Sequence, residues 1–372
     1  MKLKVLHVIE GIDKNLGGQP AAMFGILGIE KLISVTSEVL SIKPPNGTFN
    51  EEEYSQKFNC FEPSFPKRFS NSKSGINWLR NNITSYDFLI FHGIWTVLFY
   101  RAVSLAMVNN IPYVIWPHGS LVPYDLEKKA LLKKILGKLF VKNALERSSM
   151  VCLTSAKEEV VFERYGSDPK TAVLPLPISI PKTNFYNKKN GDNFVFSFIG
   201  RINYKKGIDV FLKAFKQLST QYPKIRFEIW GTGDLEYTKY INNLIIKEGL
   251  AESAKLMGFL ERDKKIEVYQ NSGCFVLTSM YENFGIAPIE ALQGGVPILI
   301  SENVFIWEDV QDAAWICKYS EQSVVENMIK ILTNNDNYNY KKNIAVTTGN
   351  RYLPENIKPL YNNLYHSLIM KK

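Results

Sequence analysis

Residues 279–300 read SMYENFGIAPIEALQGGVPILI, and the run GCFVLTS, residues 273–279, leads into them. That run has the apolar, β-branched and aromatic character of a buried strand, and a loop holding Glu282, Asn283, Phe284 and Gly285 follows it. A helix then starts near Ala287 with Pro288 in its first turn, where a missing N–H does no harm. Gly294, Gly295 and Pro297 turn the chain back into a second apolar run, VPILI. Strand, helix and strand at this spacing make a parallel unit whose helix covers one face of a sheet.

Working outward, short apolar runs bounded by turn residues recur along the chain. FVFSFIG, IRFEIWG, AKLMGFL and AAWICK join the unit in the second half, and LKVLHVI, SVTSEVLSI, DFLIFHG, IPYVIW, MVCLTS and TAVLPL occupy the first. The expected fold is α/β: two tandem Rossmann-like domains whose parallel sheets face each other across a cleft. Residues 1–180 are the expected N-terminal domain and 193–353 the C-terminal one, with a linker in the turn-rich stretch 175–192. A last helix, 354–372, opens at Pro354 and Glu355 and is expected to pack back on the first domain. Residues 44–75, rich in Asn, Ser, Pro and Phe, read as a long irregular insertion.

The 372 residues are 45% hydrophobic and 22% charged, which excludes fibrous, disordered and disulfide-framework proteins. Cys60, Cys152, Cys274 and Cys317 lie far apart, form no C-x-x-C and read as buried thiols of a reducing compartment. No stretch approaches the ~20 apolar residues of a membrane span, and MKLKVLHVIEG lacks a signal core. The expected location is therefore cytoplasmic, with peripheral attachment to the inner face of the plasma membrane left open. The net charge of +9 suggests an anionic partner. It is unevenly placed: residues 1–190 hold 24 basic and 16 acidic side chains, net +8, against 21 and 20, net +1, in 191–372.

Glu282 precedes the helix and Glu290 lies near its second turn. Eight residues rotate through about 80° beyond two turns, so these carboxylates are no metal pair on one helical face. Carboxylates accept bidentate hydrogen bonds from vicinal hydroxyls, and a helix N-terminus attracts phosphate. Together they suit different parts of one polyhydroxylated, phosphorylated ligand. Gly200 and Arg201 close the run FVFSFIG, and Lys206-Gly207 follow; a guanidinium fork and a lysine point charge both suit phosphate oxygens. In WGTGD, 230–234, Gly231 and Gly233 permit close backbone approach, but the segment is not G-x-G-x-x-G, which counts against a dinucleotide dehydrogenase. There is no D-x-D and no His/Cys cluster of zinc spacing, so no metal and no other cofactor is expected.

Glu282-Asn-Phe-Gly-Ile-Ala-Pro-Ile-Glu290 resembles the E-x7-E hallmark of the retaining glycosyltransferases of GT-B fold, the large glycosyltransferase family four, or glycosyl transferases group 1. FIGRINYKKGID, WGTGD and MGFL extend the resemblance through the second half. It implies metal-independent transfer of a sugar from a nucleotide-diphospho-sugar to a saccharide or lipid-linked saccharide with retention of anomeric configuration. It implies front-face attack, the departing phosphate taking the acceptor proton. On that implication Glu290 accepts ribose hydroxyls, and Arg201 and Lys206 hold the diphosphate. Glu282 with the amides of Asn283, Phe284 and Gly285 orients the sugar, Gly231 and Gly233 lie near the nucleotide, and the backbone after MGFL, 257–260, meets the base.

In the first half the resemblance carries over to the Gly17-Gly18 loop of GIDKNLGGQPAAMFGIL, which approaches the donor phosphate and the acceptor, and to His118 of VIWPHGSLVP, which contacts the donor sugar. The segment His92-Gly93-Ile94-Trp95 is most like that of enzymes assembling bacterial surface polysaccharide, O-antigen or capsule. His7 reads as a packed strand residue and His366 as a surface helix residue. A sugar-nucleotide epimerase of the same fold and a catalytically silent carbohydrate-binding partner are the alternatives. The donor base (UDP, GDP or ADP), the sugar, the acceptor, the linkage and the oligomeric state stay open.

Residues 124–147, YDLEKKALLKKILGKLFVKNALER, carry seven basic and three acidic side chains, net +4 in 24 residues, with Leu126, Ala130, Ile135, Leu139 and Leu145 on an apolar side. An ordinary amphipathic helix and one drawn to an anionic membrane surface both fit. Nucleic acid is not an expected partner, because no DNA or RNA module and no platform of stacking aromatics accompanies the charge.

Overall fold

In the computed structural model, which describes residues 3–13, 17–44, 49, 51, 54–65, 70–180 and 193–369, the apolar runs pair into two parallel sheets. The chain divides into two units, Met1–Pro177 with Pro354–Lys372, and Ile178–Leu353.

The first unit holds a seven-stranded sheet: β1 Lys4–Gly11, β2 Thr36–Ile42, β3 Lys57–Phe61, β4 Phe88–His92, β5 Tyr113–Trp116, β6 Met150–Leu153 and β7 Thr171–Val173. Their order is β3-β2-β1-β4-β5-β6-β7, so the sequence of strands reverses between β1 and β4. Such a reversal opens a crevice beyond the carboxyl ends of the two strands, where α/β sheets bind ligands. Leu6, Val8, Leu89, Phe91, Ile115 and Leu153 project from these strands into one buried cluster. The helix Pro354–Ile369 belongs to this unit and packs on the helix Gly18–Leu32. The Tyr361 hydroxyl of that last helix donates to the Pro175 carbonyl at 3.1 Å.

Two features of this unit depart from the sequence reading. The stretch 44–75 is not irregular throughout: β3 pairs in register with β2. KFNCF is short, half polar and at the sheet edge, so its pattern lacks the apolar run of an inner strand. The basic segment 124–147 is not one helix. It is split into Pro123–Leu126, Ala130–Leu136, a π turn Gly137–Val141 and Lys142–Glu146, with Lys129 in a left-handed conformation at φ 55°. At Gly137 the backbone lies against the Tyr165 ring so closely that a Cβ would stand 2.1 Å from it, a contact that the π turn accommodates. As a result Val141, Ala144 and Leu145 face inward, while Leu131, Leu132, Ile135, Leu139 and Phe140 are exposed. No helix among the described residues is long and apolar enough to cross a membrane.

The second unit holds six strands, β8 Phe194–Ile199, β9 Ile225–Trp230, β10 Ala254–Gly258, β11 Cys274–Leu277, β12 Ile298–Ser301 and β13 Ala314–Cys317. Their order is β10-β9-β8-β11-β12-β13, with the reversal between β8 and β11. Its core is aromatic: Phe196, Phe211, Phe215, Phe227 and Phe275 are all fully buried, Phe211 and Phe227 with ring centroids 4.5 Å apart. Burial of each such ring contributes roughly 2–3 kcal/mol. The boundary lies three residues earlier than position 180. Gln293 accepts the Ile180 N–H at 3.2 Å and donates to the Ile178 carbonyl at 2.8 Å, tying 178–180 to this unit. Most of the expected linker, 181–192, lies outside the described residues.

Candidate functional site

In the second unit the strand-order reversal brings the loops after β8 and β11 together. The Met280 N–H donates to the Lys205 carbonyl at 2.8 Å, and the Thr278 hydroxyl to the Gly207 carbonyl at 2.8 Å. The Glu282 backbone is held on its other side, its N–H donating to Asn303 and its carbonyl accepting from Phe305, both at 3.0 Å. So fixed, Glu282 forms an ion pair with Lys206, each about a quarter exposed. Arg201, at the end of the β8 edge, is exposed and has no ion-pair partner among the described residues.

The helix Ile286–Gln293 begins right after this loop, one residue before the expected Ala287. Gly285 precedes it at φ 85°, a conformation that side chains rarely adopt, and no side chain caps the helix. Its first amides therefore stay available at the positive end of the helix dipole. Glu290, one turn in, accepts from Lys265 Nζ on both oxygens, at 3.0 and 2.8 Å, and from the Tyr269 hydroxyl at 3.0 Å. Burial first, and then Glu290, push the Tyr269 hydroxyl well above its ordinary pKa, so it acts as a donor. Lys265 and Tyr269 come from the helix Lys265–Gln270 and were not singled out from sequence. Their i, i+4 spacing on one helical face was the available signal.

Gly231 and Gly233 do make room for backbone, but for the chain itself. A Cβ at Gly231 would stand 1.9 Å from the Gly200 carbonyl oxygen, and one at Gly233 2.0 Å from that of Ile202. Trp230, Phe259, Leu260 and Lys264, around the MGFL segment, line a cavity of about 430 Å³.

In the first unit Gly17 and Gly18 begin the helix after β1, with open space where a Cβ would be. The Gln19 side chain of that turn lies against Gly93, just past β4. His118 follows β5 with φ 51°, a left-handed conformation that costs a non-glycine residue roughly 1 kcal/mol or more and must be held by its surroundings. The surroundings do hold it. Buried Glu158 accepts the Gly119 N–H at 2.8 Å, the Ser120 hydroxyl donates to Pro117 at 2.7 Å, and Trp95 Nε1 donates to the Ser120 carbonyl at 2.8 Å. His118 Nε2 meets His92 Nδ1 at 2.9 Å, and burial pushes the His118 imidazole down to about 4. His92 is buried, and His7 is buried and hydrogen-bonded at both ring nitrogens rather than merely packed. Thus Arg201, Lys206, Glu282, Asn283, Phe284, Gly285 and Glu290 gather at one sheet edge of the second unit. Gly17, Gly18, His92 and His118 gather at the corresponding edge of the first. Among the described residues no three His, Cys, Asp or Glu side chains are grouped as metal ligands.

Residues 179–346 match the family described as glycosyl transferases group 1. An uncharacterized glycosyltransferase of Methanocaldococcus jannaschii is 27% identical over 207 residues, which is 52% of this chain, and the chain spans about half (49%) of that relative's length. The GDP-mannose:cellobiosyl-diphosphopolyprenol alpha-mannosyltransferase of Xanthomonas campestris is 21% identical over 88% of this chain and 84% of its own. Among solved structures, Anabaena HepE in complex with UDP and glucose superposes with a TM-score of 0.79 at 17% identity, over 98% of this chain and 100% of that one. WaaG, a glycosyltransferase involved in lipopolysaccharide biosynthesis, superposes at 0.70 and 16% identity over 96% and 99%. The chain thus has the GT-B fold of these solved structures over nearly its whole length, and its second unit matches the glycosyl transferases group 1 family.

Proposed function

We propose that this chain moves a sugar from a nucleotide-diphospho-sugar to a saccharide or lipid-linked saccharide with retention of anomeric configuration, in the building of a bacterial surface polysaccharide. The observation that carries the reading is the grouping of exposed Arg201, the Lys206–Glu282 pair and an uncapped helix N-terminus at the strand-order reversal of the second sheet. Two cations and a dipole end there suit a diphosphate, and the two carboxylates suit hydroxyls. In this reading Lys206 exchanges part of its hold on Glu282 for a phosphate oxygen, and Glu282 is left to accept a sugar hydroxyl. Glu290, positioned by Lys265 and Tyr269, takes the ribose, the amides of Asn283, Phe284 and Gly285 steady the sugar, and Gly231 and Gly233 shape the loop beside the nucleotide. Gly17, Gly18 and His118 are the first unit's contribution to the sugar and acceptor.

The reaction breaks the bond from the anomeric carbon to the phosphate oxygen and forms one to the acceptor oxygen on the same face. The acceptor proton passes to the leaving phosphate, whose growing charge Arg201 and Lys206 offset; such stabilisation is the largest catalytic term expected. HepE was solved with UDP-glucose and the Xanthomonas relative is named for GDP-mannose, so the base is the first thing to measure. Saturation-transfer contact with, and turnover of, a panel of UDP-, GDP- and ADP-sugars tests the reading. A chain that engages none of them is not this enzyme, and one that isomerises a donor without acceptor is an epimerase.

The membrane partner belongs to the same proposal. Leu131, Leu139 and Phe140 are 74%, 64% and 52% exposed beside Lys128, Lys129, Lys134 and Lys138, an apolar and basic surface suited to anionic lipid. Lys133 stands apart, since its ammonium donates to the Asp125 carbonyl at 2.6 Å and lies over the Trp95 ring. Sedimentation with phosphatidylglycerol vesicles should therefore fall at least several-fold when Lys128, Lys129 and Lys134 are changed to Glu with Lys133 kept, and equal sedimentation removes the membrane from the account.

A further inference from the structure

Within the first unit lies a buried polar thread that a sugar-transfer reaction alone does not explain. In the β1–β4 register His7 is opposite Ile90, and in the β4–β5 register His92 is opposite Trp116. Each histidine of the series His7, His92, His118 therefore lies one strand over and two residues nearer the carboxyl edge than the one before. Residues two apart share a sheet face, so His7 and His92 do, and His118, two residues past the end of β5, brings its ring onto the same line. His7 Nδ1 to His92 Nε2 and His92 Nδ1 to His118 Nε2 are both 2.9 Å, with successive ring planes within 14° and 12° of parallel.

The inner end of the line is Glu30, fully buried on the helix Gly18–Leu32. His7 Nε2 lies 3.0 and 2.8 Å from its two oxygens, Ser37 Oγ donates at 2.5 Å, and the Tyr365 hydroxyl of the last helix donates as well. The outer end is His118, partly exposed, whose Nδ1 has no hydrogen-bond partner among the described residues.

We infer that Glu30, acting through His7 and His92, holds His118 in a single tautomer, Nε2 protonated and Nδ1 bare, so that it meets a sugar hydroxyl as a hydrogen-bond acceptor. The polarity follows from counting protons. A carboxylate with donors converging on it only accepts, so His7 presents N–H from Nε2, and as a neutral imidazole it keeps a lone pair on Nδ1. That lone pair must receive the N–H of His92 Nε2, which leaves His92 Nδ1 to receive the N–H of His118 Nε2. A neutral imidazole has one proton, and that of His118 is already committed inward. Burial, helped by the neighbouring rings, lowers His92, and burial alone lowers His118, which keeps these two rings to one proton at neutral pH. Among the described residues the Tyr365 and Tyr361 hydroxyls also act on Glu30, with the Cys152 thiol near those two tyrosines, and all three groups are pushed upward by burial and hence neutral. Glu30, His7 and His92 are positioning residues, and His118 is the group that faces the ligand. Only the identity of the ligand as a sugar rests on the function proposed above; the tautomer does not.

The sequence has four histidines, so ¹⁵N-histidine labelling and two-bond ¹H–¹⁵N correlation give four ring patterns, with His118 assigned through His118→Gln. The wild type should show His7, His92 and His118 all protonated on Nε2. Glu30→Gln, whose amide can donate to His7, should reverse the thread and move His118 toward Nδ1 protonation. With it kcat should drop at least about tenfold while the donor KM changes by less than about twofold. Tyr365→Phe, which leaves the carboxylate in place, should keep the wild-type pattern. If Glu30→Gln does not fold, His92→Asn cuts the same thread, and mixed tautomers at His118 are then expected. A wild-type His118 protonated on Nδ1, or an unchanged His118 in either folded variant, overturns the inference. The expected tautomers in a chain that turns over no nucleotide-sugar would leave the inference standing and remove the transferase reading instead.

Discussion

The two strand-order reversals place polar side chains in opposite ways. In the first unit His7 and Glu30 have no exposed side-chain surface, and every polar contact is made within the protein. In the second, Lys206 and Glu282 are 24% and 22% exposed and Lys265 and Glu290 27% and 14%. A buried thread cannot exchange partners with a ligand, because any unmatched group inside costs several kcal/mol. An ion pair at the rim can, since it contributes only about 0–1 kcal/mol and is easily traded. The first arrangement suits a group held in one state, and the second suits groups that must let go of one another when a charged ligand arrives.

The contrast is broken most severely from the buried side. His7→Leu leaves Glu30 short of a donor and His92 short of an acceptor, and should destabilise the first unit by about 3–5 kcal/mol. Hydrogen exchange at β1 and β4 amides, with β8 and β11 as internal reference, would show the loss confined to the first unit. From the rim side the effect is kinetic. Arg201→Ala and Lys206→Ala should each lower kcat on the order of 10² with little change in melting temperature, and near-normal turnover in both would sink their assignment to the diphosphate.

Acidification separates the two regions without mutation. His118 titrates at about 4 in the folded chain against an ordinary 6.5, so the unfolded chain takes up the proton first. Its contribution to stability is complete above pH ~6.5 and is lost as pH falls toward 4. The loss should be about 2 kcal/mol after allowing for partial exposure, with buried His92 acting in the same direction. Denaturant titrations across this range should slope less in His118→Gln, and an identical slope would mean that other groups carry it. The smallest effect belongs to Lys265→Ala. It removes one of two groups holding Glu290 and should raise the donor KM a few-fold, an amount worth about 1 kcal/mol or less, with kcat nearly unchanged.

Much of the second unit could be read before its structure because its signals are local. Gly285, Pro288 and the Gly294-Gly295 turn lie within a dozen residues of one another and specify strand, loop and helix by backbone chemistry alone. The edge strand β3 was illegible because an edge needs no continuous apolar run. The helical period of 124–147 was present but misleading, since the break at Gly137 depends on Tyr165 from another segment. Glu30 falls between these cases. It continues the 3–4 spacing of Met23, Ile26 and Leu27 on the helix Gly18–Leu32, a charged residue on an apolar stripe, and its burial was therefore readable while its partner was not.

By itself the sequence determined the strand and helix types, the two-sheet α/β class and the residues around Glu282 and Glu290, because periodicity, turn chemistry and short motifs act over a few residues. Only the tertiary structure decided which strands are neighbours, and with that which side chains meet. Lys206 pairs with Glu282 across 76 residues, and Tyr365 reaches Glu30 across 335. His7, His92 and His118 become one thread only when β1, β4 and β5 lie side by side in a particular register. Register is set by the packing of whole sheet faces against helices, a sum over many side chains that no single segment contains.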